Sequence, residues 1–197
     1  PELFGQPLFG HICDMRRHAG DREAVLRAFC CAIVAALPFW IGIREQHADV
    51  PKRRRSQKRI GHRMEQHIRI GMAVGTKIGE GLVKCMQDNG DTTGAVVLLN
   101  GSPTDNNATL FKQGYEKVIK DAGYTVADDQ SVPDWDNTQA GTIFEQMFTK
   151  ADGNFVGVDA ANDGLGGAVI AVLEKNKVAG KIPVTGQDAT DEGLQRV

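Results

Sequence analysis

From Ala73 onward the apolar positions recur with two alternating periods; before it they do not. Val74, Ile78, Leu82 and Cys85 share one helical face. The run Ala95 to Leu99 is continuously apolar and closes on Asn100-Gly101, the pattern of a strand buried on both faces. Leu110, Phe111, Gly114, Tyr115, Val118, Ile119 and Ala122 return to helical spacing, with Asn106 or Asn107 as the expected N-cap and Gly123 as the expected stop. A second strand is predicted over 124–127. Its helix carries Ala140, Ile143, Phe144, Met147 and Phe148. A third strand is predicted over 155–158, with a helix built on Leu165, Val169, Val172 and Leu173. A fourth is predicted over 182–185, and a further helix begins near Thr190. The strand starts lie about 30 residues apart, the length of a βαβ unit. The expected class is α/β: a doubly wound parallel sheet with helices on both faces and right-handed crossovers.

Residues 1–72 hold no such period for long, and their composition differs. All five histidines (His11, His18, His47, His62, His67) and eleven of the twelve arginines fall there. This segment carries 13 basic and 7 acidic groups, a net of +6; residues 73–197 carry 10 and 18, a net of −8. Arg, His and Cys enrichment without periodicity is expected of a segment that is disordered or not cognate to the rest of the chain, such as a wrong reading frame, a mis-assigned start or a fusion. The apolar stretch Ala28 to Ile43 is short for a membrane span, which needs about 20 residues, and holds Pro38. It also lies too far into the chain for a secretory leader. The run Lys52-Arg-Arg-Arg55 with Lys58 and Arg59 reads as a solvated charge run. His62 and His67 are five apart, not the i,i+4 of a helical metal pair, so no metal site is expected. The chain therefore divides at residue 73, and function is read from the second part.

The acidic balance of residues 73–197 argues against nucleic acid, which needs clustered Lys and Arg. Four cysteines (Cys13, Cys30, Cys31, Cys85) show no CxxC or framework spacing, and Cys85 is expected to be buried in its helix. Asp134 with Asp136, or Asp159 with Asp163, could be drawn as a glycosidase pair. However, residues 73–197 contain no His, no GxSxG, no GxGxxG after a strand and no GxxxxGK[ST]. No catalytic residue, cofactor or metal is assigned.

In open parallel sheets ligands bind at the carboxyl ends of the strands. Here that end is polar four times: Ser102 to Asn107, Asp134 to Asn137, Asp159 to Asp163, and Gln187-Asp188. Any one of these Asx residues is also an ordinary turn former or cap. Their recurrence, with one indole at Trp135, suits a neutral polyhydroxylated ligand. Amides and carboxylates pair with hydroxyls that donate and accept, and an indole covers the C–H face of a sugar ring.

Three stretches then match a known pattern: Gly101 to Phe111 (GSPTDNNATLF), Asp159 to Asp163 (DAAND) and Gly186 to Ala189 (GQDA). In this order they resemble the D-xylose branch of the ribose/galactose-type periplasmic sugar-binding proteins of ABC transporters, over residues 73–197. The resemblance implies most of a C-terminal lobe of the type I periplasmic-binding-protein fold. It also implies ligand-binding roles for Asn106 or Asn107, Trp135 as the stacking aromatic, Asn162 or Asp163, and Gln187 or Asp188. The implied partners are a monosaccharide, a pentose first, and an ABC permease in the intact parent, with the membrane reached only through that permease or a lipid anchor. The implied location is the periplasm or another extracytoplasmic space. The family's N-terminal lobe is not recognisable in residues 1–72, so this chain is expected to bind sugar more weakly than millimolar or not at all. The alternative is the sugar-sensing lobe of a lac-repressor-like regulator, whose only support is the basic run Lys52 to Arg59.

Overall fold

In a computed structural model of the chain, residues 54–196 are described. The histidines at 11, 18 and 47, the cysteines at 13, 30 and 31, and the apolar stretch Ala28 to Ile43 lie outside the described residues. The elements run α1 (Arg54–Asp88), β1 (Ala95–Asn100), α2 (Asn106–Asp121), β2 (Thr125–Ser131), a 3-10 turn (Pro133–Trp135), α3 (Asn137–Lys150), β3 (Gly157–Ala160), α4 (Asp163–Lys175) and α5 (Asp191–Leu194). Among the described residues no helix is long and apolar enough to cross a membrane.

The sheet is parallel, in the order β2-β1-β3. By the general rule of right-handed crossovers, the connection from β1 to β2 and the one from β2 back over β1 to β3 should put α2 and α3 on opposite faces. Accordingly α1 packs on α2, and α3 on α4. Val96 to Leu99 are fully buried between these layers, as the uninterrupted apolar run predicts. Cys85 is buried in α1. Phe144, Phe148 and Phe155 meet edge to face at centroid distances of 5.8–6.4 Å below the α3 side of the sheet.

Four departures from the sequence-based expectations have physical causes. First, α1 reaches back to Arg54, across residues assigned to the aperiodic segment. Residues 61–70 of this helix are exposed on every side, so packing imposes no hydrophobic period there. Second, β2 continues past Ala127 to Ser131. Val96 pairs with Val126 but Val97 with Asp128, so Ala127 is an extra, bulged residue. The polar continuation is tolerated because β2 is the edge strand. Third, β3 begins at Gly157 and extends through Asp159, a fully buried acid that no hydrophobic pattern announces. Fourth, the predicted strand over 182–185 is reduced to one parallel bridge, Val158 with Val184. Pro183 accepts from Val158 N (2.9 Å) but has no N–H to return. The Thr185 hydroxyl then serves Ala160 N (2.9 Å) and Ala160 O (3.2 Å) in place of further ladder bonds.

Candidate functional site

A crevice lies at the carboxyl ends of β1 and β3, where the strand order reverses. At the end of β1, Asn100 is buried and fixed. Its Nδ2 donates to Asp129 Oδ1 (2.6 Å) and Gln130 O (2.9 Å), and Tyr115 OH donates to its Oδ1. Lys112 pairs with Asp129, closing a network that ties β1, β2 and α2 together. Burial first, and then the nearby Asp159, Asp129 and Glu116 charges, raise Tyr115 well above the usual phenol value, so it stays a donor.

Asp105, not Asn106 or Asn107, caps α2. Its Oδ1 accepts from Asn107 N at 2.8 Å. The sequence offers three consecutive Asx residues, and the most N-terminal takes the extended cap geometry (φ −93°, ψ 119°). This leaves Asn106 and Asn107 in the exposed first turn. Gly123, at φ 89°, ends the same helix as expected.

Trp135 sits in a strained turn, with Asp134 at φ 52° and Trp135 at φ 57°, both in the left-handed region. A Cβ on Gly101 would come within 2.0 Å of the indole, so the ring lies directly on the Gly101 backbone. Its Nε1 donates to Asp105 Oδ2 (3.2 Å), and the ring remains partly exposed. Asp136 caps α3, and the Gln139 and Thr138 amides hold its carboxyl below the usual range.

At the end of β3, Asn162 caps α4 by accepting from Leu165 N (2.9 Å). Asp163 is buried and turned to the fold: its Oδ2 accepts from Thr190 N (2.8 Å) and Thr190 Oγ1 (3.1 Å). Its amide donates to Gln187 O (2.9 Å), which brings the Gln187-Asp188 loop beside α4. Asp188 and Ala189 are again left-handed, at φ 107° and 55°. Crowding by protein first, then the Asp163 charge, raises the Asp188 carboxyl, while a Gln187 hydrogen bond acts the other way. A groove of about 490 Å³ runs alongside, lined by Asn137, Thr138, Asp163, Gly164, Thr190 and Arg196 among others. Of the candidates it includes only Asp163; Asn106, Asn107 and Asp188 are exposed, and Trp135, Asn162 and Gln187 are half-buried outside it.

The sequence-predicted residues thus form two groups: Asn106, Asn107 and Trp135 around Asp105, and Asn162, Asp163, Gln187 and Asp188 around the start of α4. Asn137, two residues after Trp135, lies against Gly164 and joins them; a Cβ there would come within 2.5 Å of Asn137 Oδ1. The sequence pattern alone does not single out Asp105 or Asn100, although both flank or lie in the Gly101 to Phe111 stretch. No group of acidic, His or Cys side chains among the described residues is placed to hold a metal.

This arrangement has relatives. A family model described as "Periplasmic binding protein domain" matches residues 72–197. The chain belongs to this periplasmic-binding-protein family. It is 37% identical over 125 residues to the D-xylose-binding periplasmic protein of Escherichia coli, a match covering 61% of this chain and 38% of that protein. Among solved structures it resembles a twin-arginine translocation pathway signal protein from Burkholderia phytofirmans (33% identity, TM-score 0.59, covering 64% of this chain and 38% of that one). It also resembles an ABC transporter periplasmic solute-binding protein from Actinobacillus succinogenes with bound D-allose (25% identity, TM-score 0.58, covering 64% and 43%). The chain therefore spans less than half the length of each of these relatives. The E. coli and A. succinogenes relatives are named as binding proteins, not as enzymes.

Proposed function

We propose that residues 73–197 form one wall of a monosaccharide site in the receptor of a sugar ABC transporter, with D-xylose as the first sugar to test. The supporting observation is that hydroxyl-pairing side chains and a partly exposed indole gather at the strand ends where the sheet order reverses, in two loops held in left-handed conformations. Strain of about 1–3 kcal/mol per such residue persists where the surroundings over-determine it, commonly at ligand sites. The names of the E. coli and A. succinogenes relatives support the sugar class.

Within the set we assign Asn107, Asn162 and Asp188 to sugar hydroxyls, and Trp135 to the apolar face of the ring. Asn106 and Gln187 flank this group. Asp163 is assigned to the fold, since its carboxyl is engaged by Thr190. The same reading places the receptor in the periplasm and its docking partner in the membrane as a permease. It sets the sugar-binding unit at the family match, which starts at residue 72, with α1 running unbroken across that point. The mechanism in a two-lobed parent is closure about a hinge, which excludes water from hydroxyl pairs made on both walls.

The test is a chemical-shift titration of the full chain with D-xylose. The Asn107, Trp135, Asn162 and Asp188 amides are expected to move together, with a Kd of about 1 mM or weaker, since only one wall contributes contacts. Shifts that spare those four positions, or that L-xylose reproduces equally, reject the reading. Micromolar affinity would reject the one-wall description.

A further inference from the structure

We propose that Asp105 is the positioning residue of this site: one carboxylate holds both the indole and the helix end that carries the hydroxyl-pairing amides. The inference rests on the sugar-binding reading for its functional meaning, and on geometry for its substance.

The two oxygens of Asp105 have separate tasks. Oδ1 accepts from Asn107 N at 2.8 Å and so fixes the first turn of α2. Oδ2 accepts from Trp135 Nε1 at 3.2 Å. The backbone of Asp105 is itself held, its N–H donating to Ser102 O (3.1 Å) and its carbonyl accepting from Thr109 N (3.3 Å). Capping alone does not explain an acid here. Asn caps as well as Asp, and two Asn residues come immediately after it. Only a carboxylate supplies two acceptors, and the second one meets the indole N–H.

Trp135 needs such a hold. Its backbone and that of Asp134 are left-handed, so the turn would relax if nothing over-determined it. The contacts that do so are the Gly101 backbone beneath the ring and the Asp105 oxygen at its edge. Ser102 adds a weaker tie, its Oγ accepting from Asp134 N at 3.3 Å. The loop after β1 and the turn after β2 are thereby tied together, and Asp105 is the side chain that reaches both the ring and the first turn of α2.

The experiment uses the full chain in a Trp40→Phe background, so that Trp135 is the one indole left. Asp105→Asn keeps a capping oxygen but turns an amide N–H₂ toward the indole N–H, where two donors meet. Asp105→Thr keeps one oxygen only, and is expected to behave alike. Both are expected to raise acrylamide quenching of Trp135 about twofold and to weaken D-xylose binding about tenfold, as loss of one charge-assisted hydrogen bond implies. In Trp135→Phe, followed by the Asn107 and Asp188 shifts, Asp105→Asn is expected to add less than about twofold, because the coupled partner is already gone. Unchanged quenching overturns the proposal. So does an equal loss of binding with and without the indole, which would mark Asp105 as a cap alone. If the parent chain binds no D-xylose, the sugar-binding reading falls, and the quenching comparison alone decides whether Asp105 positions the ring.

Discussion

Asp159 is the residue most at odds with its surroundings. It is fully buried in β3, and neither carboxylate oxygen has a hydrogen-bond partner among the described residues. It shares a sheet face with Gly157, which lies against Leu82 and Met86. Burial pushes its pKa well above the usual carboxylate value, which favours the neutral acid in the fold. In the unfolded chain the group ionises near pH 4, by the usual value of about 4 for a free Asp. Folding therefore loses stability as the pH rises from that value toward the folded one, and the pH dependence vanishes below it. Replacing Asp159 with Val should stabilise the fold by about 1–3 kcal/mol near neutrality, with the gain shrinking toward pH ~4. Urea melts of both proteins at two pH values read this directly; a gain that grows toward acid pH would refute the assignment. No periodicity argument reveals such a residue, because the chain around it reads as apolar. Asp105 is hidden in the sequence for the opposite reason: three Asx residues in a row make the cap ambiguous until backbone geometry selects one.

At the scale of elements, glycine separates two meanings that one letter conceals. Gly71, Gly75 and Gly79 recur every four residues on α1 and face Leu110, Phe111, Gly114 and Tyr115 on α2. A Cβ at Gly75 would come within 2.0 Å of Phe111 O, so the two backbones are nearly in contact. Gly75→Ala should destabilise by about 1–3 kcal/mol through overpacking, despite a helix-propensity gain near ~1 kcal/mol. A Cβ at Gly141 in α3 would meet no other described residue within 4 Å, so Gly141→Ala should stabilise by about 0.5–1 kcal/mol. Denaturant midpoints for the pair should move in opposite directions; a common direction would mean that the α1–α2 contact is looser than this backbone approach implies. Helices are the most legible elements, because Leu82, Tyr115, Phe144 and Leu173 each sit where the 3.6-residue period puts a buried position. Strand ends are less so. A bulge at Ala127 and a proline at 183 change hydrogen bonding without changing hydrophobic pattern.

Across the whole molecule, stability is expected to be graded along α1. Ile78, Leu82 and Met86 are fully buried, whereas residues 61–70 are exposed on all sides and share one continuous helix with them. Hydrogen exchange should be fast over 61–70 and slowest over 78–86, since opening free energies follow local burial. Equal protection along the helix would show that something covers its first half. The sheet class and the polar strand ends are readable in the sequence, because alternating periods of about 30 residues leave few topologies open. The division of labour among the polar residues is not. Asp163 carries the letter of a ligand residue but is turned to Thr190, and only packing reveals that.

The single bridge at Val184 also bears on how this protein would misassemble. One border of the sheet, β2, ends in Asp128, Asp129, Gln130 and Ser131, charges and amides that discourage a second molecule from adding a strand. The other border is β3, all four residues of which are buried, and it is covered by a stretch attached through two backbone hydrogen bonds and one threonine hydroxyl. If residues 182–185 lift away, a strand edge is presented on which Asp159 is the one ionisable residue. Aggregation during thermal stress should then start from β3 and spare β2. A lysine placed at Ile182, pointing repulsion outward from the covering stretch, is the gatekeeper change most suited to slow it.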